Sequence, residues 1–146
     1  MQRTVRAGKK IRVQESEKHI RMIELMGASA TLLSLGEVYT TMQLGVLDGA
    51  EDNEISYVTQ NHYKVAHYNS NTNHLVGLDY MIMRHDLLEA MSDADRKLFL
   101  AERDAAMTEH TDLWNSETDA VIETAKAGGA EFIEVDHQAF ADARTY

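Results

Sequence analysis

The stretch from Asp48 to Glu54 carries oxygen-bearing side chains at most of its positions and follows a short predicted helix. Carboxylate and amide oxygens accept hydrogen bonds from a ligand, and the adjacent carboxylates of Glu51 and Asp52 are also ligands that a hard metal ion prefers. A helix that leads into such a turn is a common way to present side chains to a small molecule. The alternative interpretation is a solvated acidic turn that binds nothing.

A second candidate for chemistry is Arg12, which lies in the alternating stretch from Lys10 to Gln14. Its guanidinium group is a planar fork of donors that matches a carboxylate and stays charged at any relevant pH. On the residue type alone, a solvated arginine at the edge of a sheet is the more common interpretation.

Other chemistries are not indicated. The chain has no cysteine, no G-x-S-x-G, no phosphate-binding loop and no H-E-x-x-H. Among its seven histidines, His62 and His67 are five residues apart, which is a poor spacing for one helix face. We therefore predict no enzyme activity, no cofactor and no histidine-based metal site.

The elements that position these side chains are predicted from capping residues, glycines and periodicity. Ser34 and Glu37 have the spacing of a capping box at the start of a helix that Gly45 can end. Ser92 predicts the start of a long helix with no breaker before Gly128 and Gly129. The remaining predictions are strands at 10–14, 30–33, 66–83 and 130–135 and helices at 16–26, 55–65, 86–91 and 138–143.

Composition and charge narrow the class of protein. The chain has 146 residues, 44% of them hydrophobic, which is ordinary for one globular domain, and no apolar run approaches the ~20 residues of a membrane span. No signal peptide is visible at the start of this chain. The net charge of −10 comes from residues 86–146, which hold fifteen acidic and five basic residues. This acidic surface argues against nucleic acid as a partner.

Three motifs resemble one known family. The sequence GEVYTTMQLGVLDGAE is similar to the signature of the substrate-binding proteins of TRAP transporters, the tripartite ATP-independent periplasmic carriers of carboxylates. GKKIRVQES and TNHLVG, on either side of it, fall in the order and spacing of that family. The resemblance covers nearly the whole chain, which matches about the C-terminal half of a typical DctP-like member.

The resemblance implies roles for five residues. In the family, the arginine of K-I-R-V, here Arg12, forms a two-pronged ion pair with the carboxylate of the ligand. Asp52 stands where the family usually has an asparagine that donates to the same carboxylate, and Leu35 stands where it often has a phenylalanine. Asn53 and Glu51 complete the implied site, although Glu51 has the alternative role of a capping or hinge hydrogen bond.

Asp52 departs from the family pattern, because an ionised aspartate cannot donate and repels a bound anion. Three interpretations stay open. Asn53 supplies the amide after a shift of one residue, or the ligand carries an amine or other cation, or Glu51 and Asp52 hold a metal ion that bridges to the ligand.

The resemblance implies an α/β fold: a partial lobe like that of periplasmic binding proteins, built from a short β-α-β-α unit, then a crossing strand and a long C-terminal helix. We predict a ligand-binding lobe at 1–66, the crossing strand at 67–84 and a helical segment at 85–146 whose long helix covers about 92–127.

The implied function is the solute-binding component of a TRAP-type transporter, periplasmic by resemblance. It would capture a small organic acid, such as a dicarboxylate, between two lobes and present the closed form to the TRAP membrane subunits. We also expect association between copies through the long helix or strand exchange. The alternative is a truncated relative that acts as an oligomeric helical scaffold and binds no ligand.

Overall fold

The computed structural model describes residues 8–138. The strands and helices, in chain order, are β1 (Lys10–Val13), α1 (Glu17–Leu25), β2 (Ser29–Leu32), α2 (Val38–Gln43), β3 (Gly49–Ala50), α3 (Glu54–Thr59), β4 (Tyr68–Asn71), α4 (His85–Glu89), α5 (Asp93–Ala127) and β5 (Glu131–Glu134). Single 3-10 turns cover Leu35–Glu37 and His62–Lys64. The α/β prediction is confirmed, with its β-α-β-α start and its long C-terminal helix.

The first sheet has three parallel strands in the order β2-β1-β3. Arg12 of the central strand lies opposite Thr31 on β2 and Ala50 on β3. The parallel pairing of β1 with β2 fits the β-α-β order, because parallel neighbours need a crossover connection such as α1. The third strand was not predicted, since its two residues lie inside the stretch that we interpreted as a turn.

A small core holds α1 against this sheet. Val13, Ile23, Met26 and Ala28 are buried together, and the partly buried apolar side chains packed on them are Ile11, Ile20, Met22 and Ala30. Burying a valine, isoleucine or methionine side chain contributes about 1.5–3 kcal/mol. Ser16 precedes α1 as predicted, but its side chain makes no capping hydrogen bond. The core therefore stabilises this helix more than its cap does.

The segment after β2 differs from a regular capping box. The hydroxyl of Ser34 donates directly to the carboxylate of Glu37, and neither side chain caps a backbone N–H. The backbone tightens instead into a 3-10 turn, in which the Glu37 N–H donates to the Ser34 carbonyl at 3.2 Å. Gly45 ends the segment at a φ of 71°, in the left-handed conformation predicted for it.

A second core joins the end of α5 to the segment that follows β3. Tyr57, Ala125 and Ala130 are buried there, and Tyr57 makes edge-to-face contacts with the rings of Tyr63 and Phe132. Strand β4 pairs in parallel with β5 beside this core, with Tyr68 opposite Glu131. The predicted helix over 55–65 is interrupted at Asn61, whose φ is 59°.

The predicted strand over 66–83 is wrong in its length. Only Tyr68–Asn71 forms a strand, and residues 72–84 adopt neither helix nor strand. A strand exists only where another strand pairs with it, and β5 offers β4 four residues. Asn73 then turns the chain with a φ of 44°.

The described residues divide into two compact units, one of residues 8–74 and 120–138 and the other of residues 75–119. The predicted domain bounds stay a prediction. In the second unit, Ser92 caps the start of α5 by accepting the Asp95 N–H at 3.2 Å, and many of the large apolar side chains are exposed. No helix within residues 8–138 is long and apolar enough to cross a membrane. The helical turn predicted over 138–143 lies outside the described residues, except for Gln138.

Candidate functional site

The topology of the first sheet creates one place suited to a ligand. From the central strand β1 the chain passes through α1 to β2 on one side, and then through α2 to β3 on the opposite side of β1. Open α/β sheets bind ligands beyond the carboxyl ends of their strands, at the point where the strand order reverses, and in the order β2-β1-β3 this point lies between β1 and β3. Here that place lies beyond the carboxyl ends of β1 and β3.

Arg12 lies near the carboxyl end of β1 and is only 4% exposed. Its Nε donates to the carbonyl of Leu33 at 2.9 Å, and its Nη1 lies 3.5 Å from the carbonyl of Glu51. The side chain thus bridges the segments that follow β2 and β3. Because a guanidinium group has more N–H donors than these two contacts use, Arg12 is suited to bind a carboxylate as well.

Glu51 follows β3 directly and its backbone N–H donates to the Arg12 carbonyl at 3.0 Å. One carboxylate oxygen lies 3.8 Å from Nε2 of His74, and the other, Oε2, is buried without a hydrogen-bond partner among the described residues. Burial raises the pKa of Glu51, the charge of Asp52 raises it further, and His19 and Arg12 oppose the rise. The pKa is raised because a buried carboxylate has lost water without full compensation.

Asp52 is held by two donors. Oδ1 accepts the backbone N–H of Asn53 at 3.0 Å, and Oδ2 lies 3.1 Å from Nδ1 of His62. Burial raises the pKa of Asp52 and lowers the pKa of His62, and the attraction between the two opposes both shifts. Since a carboxylate only accepts, the Nδ1 of a neutral His62 carries the proton of this hydrogen bond.

Asn53 directly follows Asp52, and Leu35 comes two residues after Leu33, whose carbonyl accepts from Arg12. The Oδ1 of Asn53 accepts the Ser56 N–H at 2.8 Å and so caps α3, and the residue is exposed. Its amide oxygen is therefore engaged in starting the helix. Leu35 is half-buried and is the first residue of the 3-10 turn after β2.

The structure brings Arg12, Glu51 and Asp52 together at the carboxyl ends of β1 and β3. Sequence reasoning missed His62, the hydrogen-bond partner of Asp52, and gave His19 no role. No pattern in the sequence predicted this contact, because His62 is ten residues away from Asp52 and approaches it through the irregular backbone at Asn61. No group of three or more His, Asp or Glu within residues 8–138 is arranged to hold a metal ion.

Comparison with known proteins identifies the family of this chain. A sequence profile of the bacterial extracellular solute-binding protein family 7 (DctP) matches residues 7–145. A solute-binding protein of Chromohalobacter salexigens is 35% identical over 129 residues, which are 88% of this chain and 38% of that protein.

Two solved structures are similar over almost the whole chain. A TRAP periplasmic solute-binding protein from Chromohalobacter salexigens with bound D-glucuronate superposes with a TM-score of 0.86 at 31% identity, over 98% of this chain and 48% of the other. The open, ligand-free TRAP periplasmic solute-binding protein of Citrobacter koseri superposes with a TM-score of 0.92 at 28% identity, over 97% of this chain and 49% of the other. The chain thus spans about half the length of these structures. It belongs to the bacterial extracellular solute-binding protein family 7, that is, to the TRAP periplasmic solute-binding proteins.

Proposed function

We propose that this chain is a ligand-binding part of a TRAP-type solute receptor and that it binds a small organic acid through an ion pair with Arg12. The observation that carries the proposal is the position of Arg12, which is buried beside the carboxyl ends of β1 and β3 and hydrogen-bonded on two sides. A sugar acid such as D-glucuronate is the ligand class that we favour, because a relative of similar fold binds it. The TRAP membrane subunits are the proposed partner and the periplasm the proposed location.

The surroundings of Arg12 explain why such an ion pair would be strong. The attraction between two charges rises as water leaves their surroundings, and Arg12 is already almost fully shielded. Its contact with the Leu33 carbonyl also fixes the direction of the fork before the ligand arrives. A donor group that is held in place loses little conformational entropy when it binds, which favours affinity.

Glu51 and Leu35 have supporting parts in this proposal. Glu51 keeps its buried Oε2 available for a donor of the ligand, since no described residue donates to that atom. Leu35, in the turn beyond β2, would cover an apolar part of the ligand. Asn53 would act indirectly, because it starts α3 directly after Asp52.

Thermal unfolding with a panel of carboxylic acids tests the proposal. At a hundredfold excess over its dissociation constant, a true ligand should stabilise the chain by about 2.7 kcal/mol. Replacing Arg12 with methionine should abolish that stabilisation, whereas the matched variant Arg21→Met, at an exposed position on α1, should keep it. Stabilisation by no acid, or an equal effect in both variants, would contradict the proposal.

A scaffold function is the second candidate, and exposed apolar side chains favour it. Val76 is 80% exposed, Ile82 89% and Tyr80 74%, all on the segment that precedes α4. Large apolar side chains exposed along one segment are typical of surfaces that bind other chains, and self-association is the outcome that we expect. Size-exclusion chromatography with light scattering tests it. Oligomers without any acid-dependent stabilisation would favour the scaffold, and a monomer at micromolar concentration would count against it.

A further inference from the structure

We propose that Asp52, positioned by His62, makes this site select acids that carry a hydroxyl group close to their carboxylate. The inference rests on the proposed function, since it assumes that Arg12 binds the carboxylate. It adds the roles of two residues to that function, Asp52 as the group that selects the hydroxyl and His62 as the residue that positions Asp52.

Asp52 lies close to the place where Arg12 would bind a carboxylate. The residue comes two positions after β3, whose Ala50 pairs with Arg12, and its side chain is 14% exposed. The carbonyl of Glu51, the residue directly before Asp52, lies 3.5 Å from Nη1 of Arg12. A carboxylate bound by Arg12 would therefore lie near the carboxylate of Asp52.

Such a complex would bring two negative charges together, that of Asp52 and that of the ligand. Two carboxylates that meet without a proton between them repel each other, and that repulsion lowers affinity. A hydroxyl group on the ligand removes the problem, because it donates to Asp52 while the ligand carboxylate accepts from Arg12. Each oxygen of Asp52 has a lone pair left after its bond to Asn53 or His62.

His62 fixes the position of the Asp52 carboxylate. It is 2% exposed, and its Nδ1 lies 3.1 Å from Oδ2 of Asp52, so it touches the carboxylate from the protein side. Burial favours the neutral imidazole by lowering its pKa. A neutral His62 holds the carboxylate in one orientation without cancelling its charge, which keeps Asp52 an acceptor. A neutral donor on the ligand then suffices, and a cationic amine is not required.

Isothermal titration calorimetry of the chain tests the substrate class. D-glucuronate is compared with cyclohexanecarboxylate, which keeps a six-membered ring and the carboxylate but has no hydroxyl group. Asp52→Asn should weaken D-glucuronate binding by about tenfold to hundredfold, the range for a lost hydrogen bond to a charged group. It should not weaken the binding of cyclohexanecarboxylate, because the repulsion between Asp52 and the ligand carboxylate also disappears. Asp112→Asn, the same substitution at an exposed position on α5, should change the affinity for neither ligand.

A second variant tests the positioning role. His62→Phe should lower D-glucuronate affinity selectively, and adding it to Asp52→Asn should cause little further loss, because both changes disrupt one interaction. If His62 acted only in folding, His62→Phe would weaken the binding of both ligands to the same degree. That result would overturn the assignment of His62.

The outcomes separate this inference from the proposed function. If D-glucuronate binds and Asp52→Asn leaves the preference between the two acids unchanged, the inference fails and the receptor function stands. A preference of the wild-type chain for an amino acid without a hydroxyl group, such as glutamate, over D-glucuronate would also overturn the hydroxyl class. If no acid binds the wild-type chain, the proposed function fails and the inference fails with it.

Discussion

Replacing Arg12 with methionine should destabilise the chain even without a ligand. Methionine keeps an unbranched apolar stem but removes the guanidinium group, so the Leu33 carbonyl loses the donor that lies 2.9 Å away. A hydrogen bond to a charged group contributes about 1.5–3 kcal/mol. The Glu51 carbonyl, at 3.5 Å, adds little because that distance is at the limit of a hydrogen bond. We expect a loss of about 1.5–3 kcal/mol in the free energy of unfolding.

Urea unfolding followed by circular dichroism measures this loss by linear extrapolation. Arg21→Met is the matched control, because Arg21 has a side chain 65% exposed and a single ion pair at 3.7 Å with Glu24. A surface pair of that kind contributes at most about 1 kcal/mol. Equal free energies of unfolding for the two variants would show that Arg12 does not connect the segments after β2 and β3, and the reasoning about its fixed position would be wrong.

Three further predictions follow from the same contacts. Because burial lowers the pKa of His62 in the folded chain, the unfolded chain takes up a proton at a higher pH than the folded chain does. Stability should therefore fall as the pH drops through about 6.5, the ordinary pKa of histidine, with a slope of at most about 1.4 kcal/mol per pH unit. His62→Gln should flatten that slope in urea titrations at several pH values, whereas equal slopes would contradict the lowered pKa. Gly128→Ala would place its Cβ 3.0 Å from Cδ2 of Tyr63 and closer still to Cε2, so it should cost about 1–3 kcal/mol in urea unfolding. Gly36→Ala, with no atom within 4 Å of its new Cβ, is the control, and an equal cost in both would refute the overlap. Asn53→Ala removes the cap of α3 and should cost about 1 kcal/mol, whereas Asn53→Ser should restore most of it; no loss with alanine would show that the cap contributes nothing.

Local signals predicted the parts of the fold that depend on local chemistry. The long helix was expected over about 92–127 and is found at Asp93–Ala127, because a capping serine and a pair of glycines mark its ends. The left-handed Gly45 follows from the same kind of reasoning. At these helix ends the boundary depends on adjacent residues, and the sequence was sufficient to predict it.

Features that depend on distant partners were missed. Gly49–Ala50 becomes a strand only because β1 lies beside it, and no pattern of two residues can reveal that pairing. The segment over 72–84 has the composition of a strand but has no strand beside it among the described residues. Periodicity is a property of one segment, whereas strand pairing depends on two segments.

The candidate site could be predicted in part for the same reason. Arg12, Glu51 and Asp52 were proposed through a resemblance, and the sheet order supplies an independent physical reason for their proximity. The partner of Asp52 was beyond sequence reasoning, since His62 approaches it only through the turn at Asn61. The assignment of all five residues to ligand binding stays a prediction.

The most direct test of the central proposal is a crystal structure of the chain grown with D-glucuronate. We predict that the ligand carboxylate lies beyond β1 and β3, with its oxygens about 2.7–2.9 Å from the guanidinium nitrogens of Arg12, as expected for a charge-assisted pair. A carboxylate bound elsewhere, with Arg12 contacting only the carbonyls of Leu33 and Glu51, would contradict the proposal.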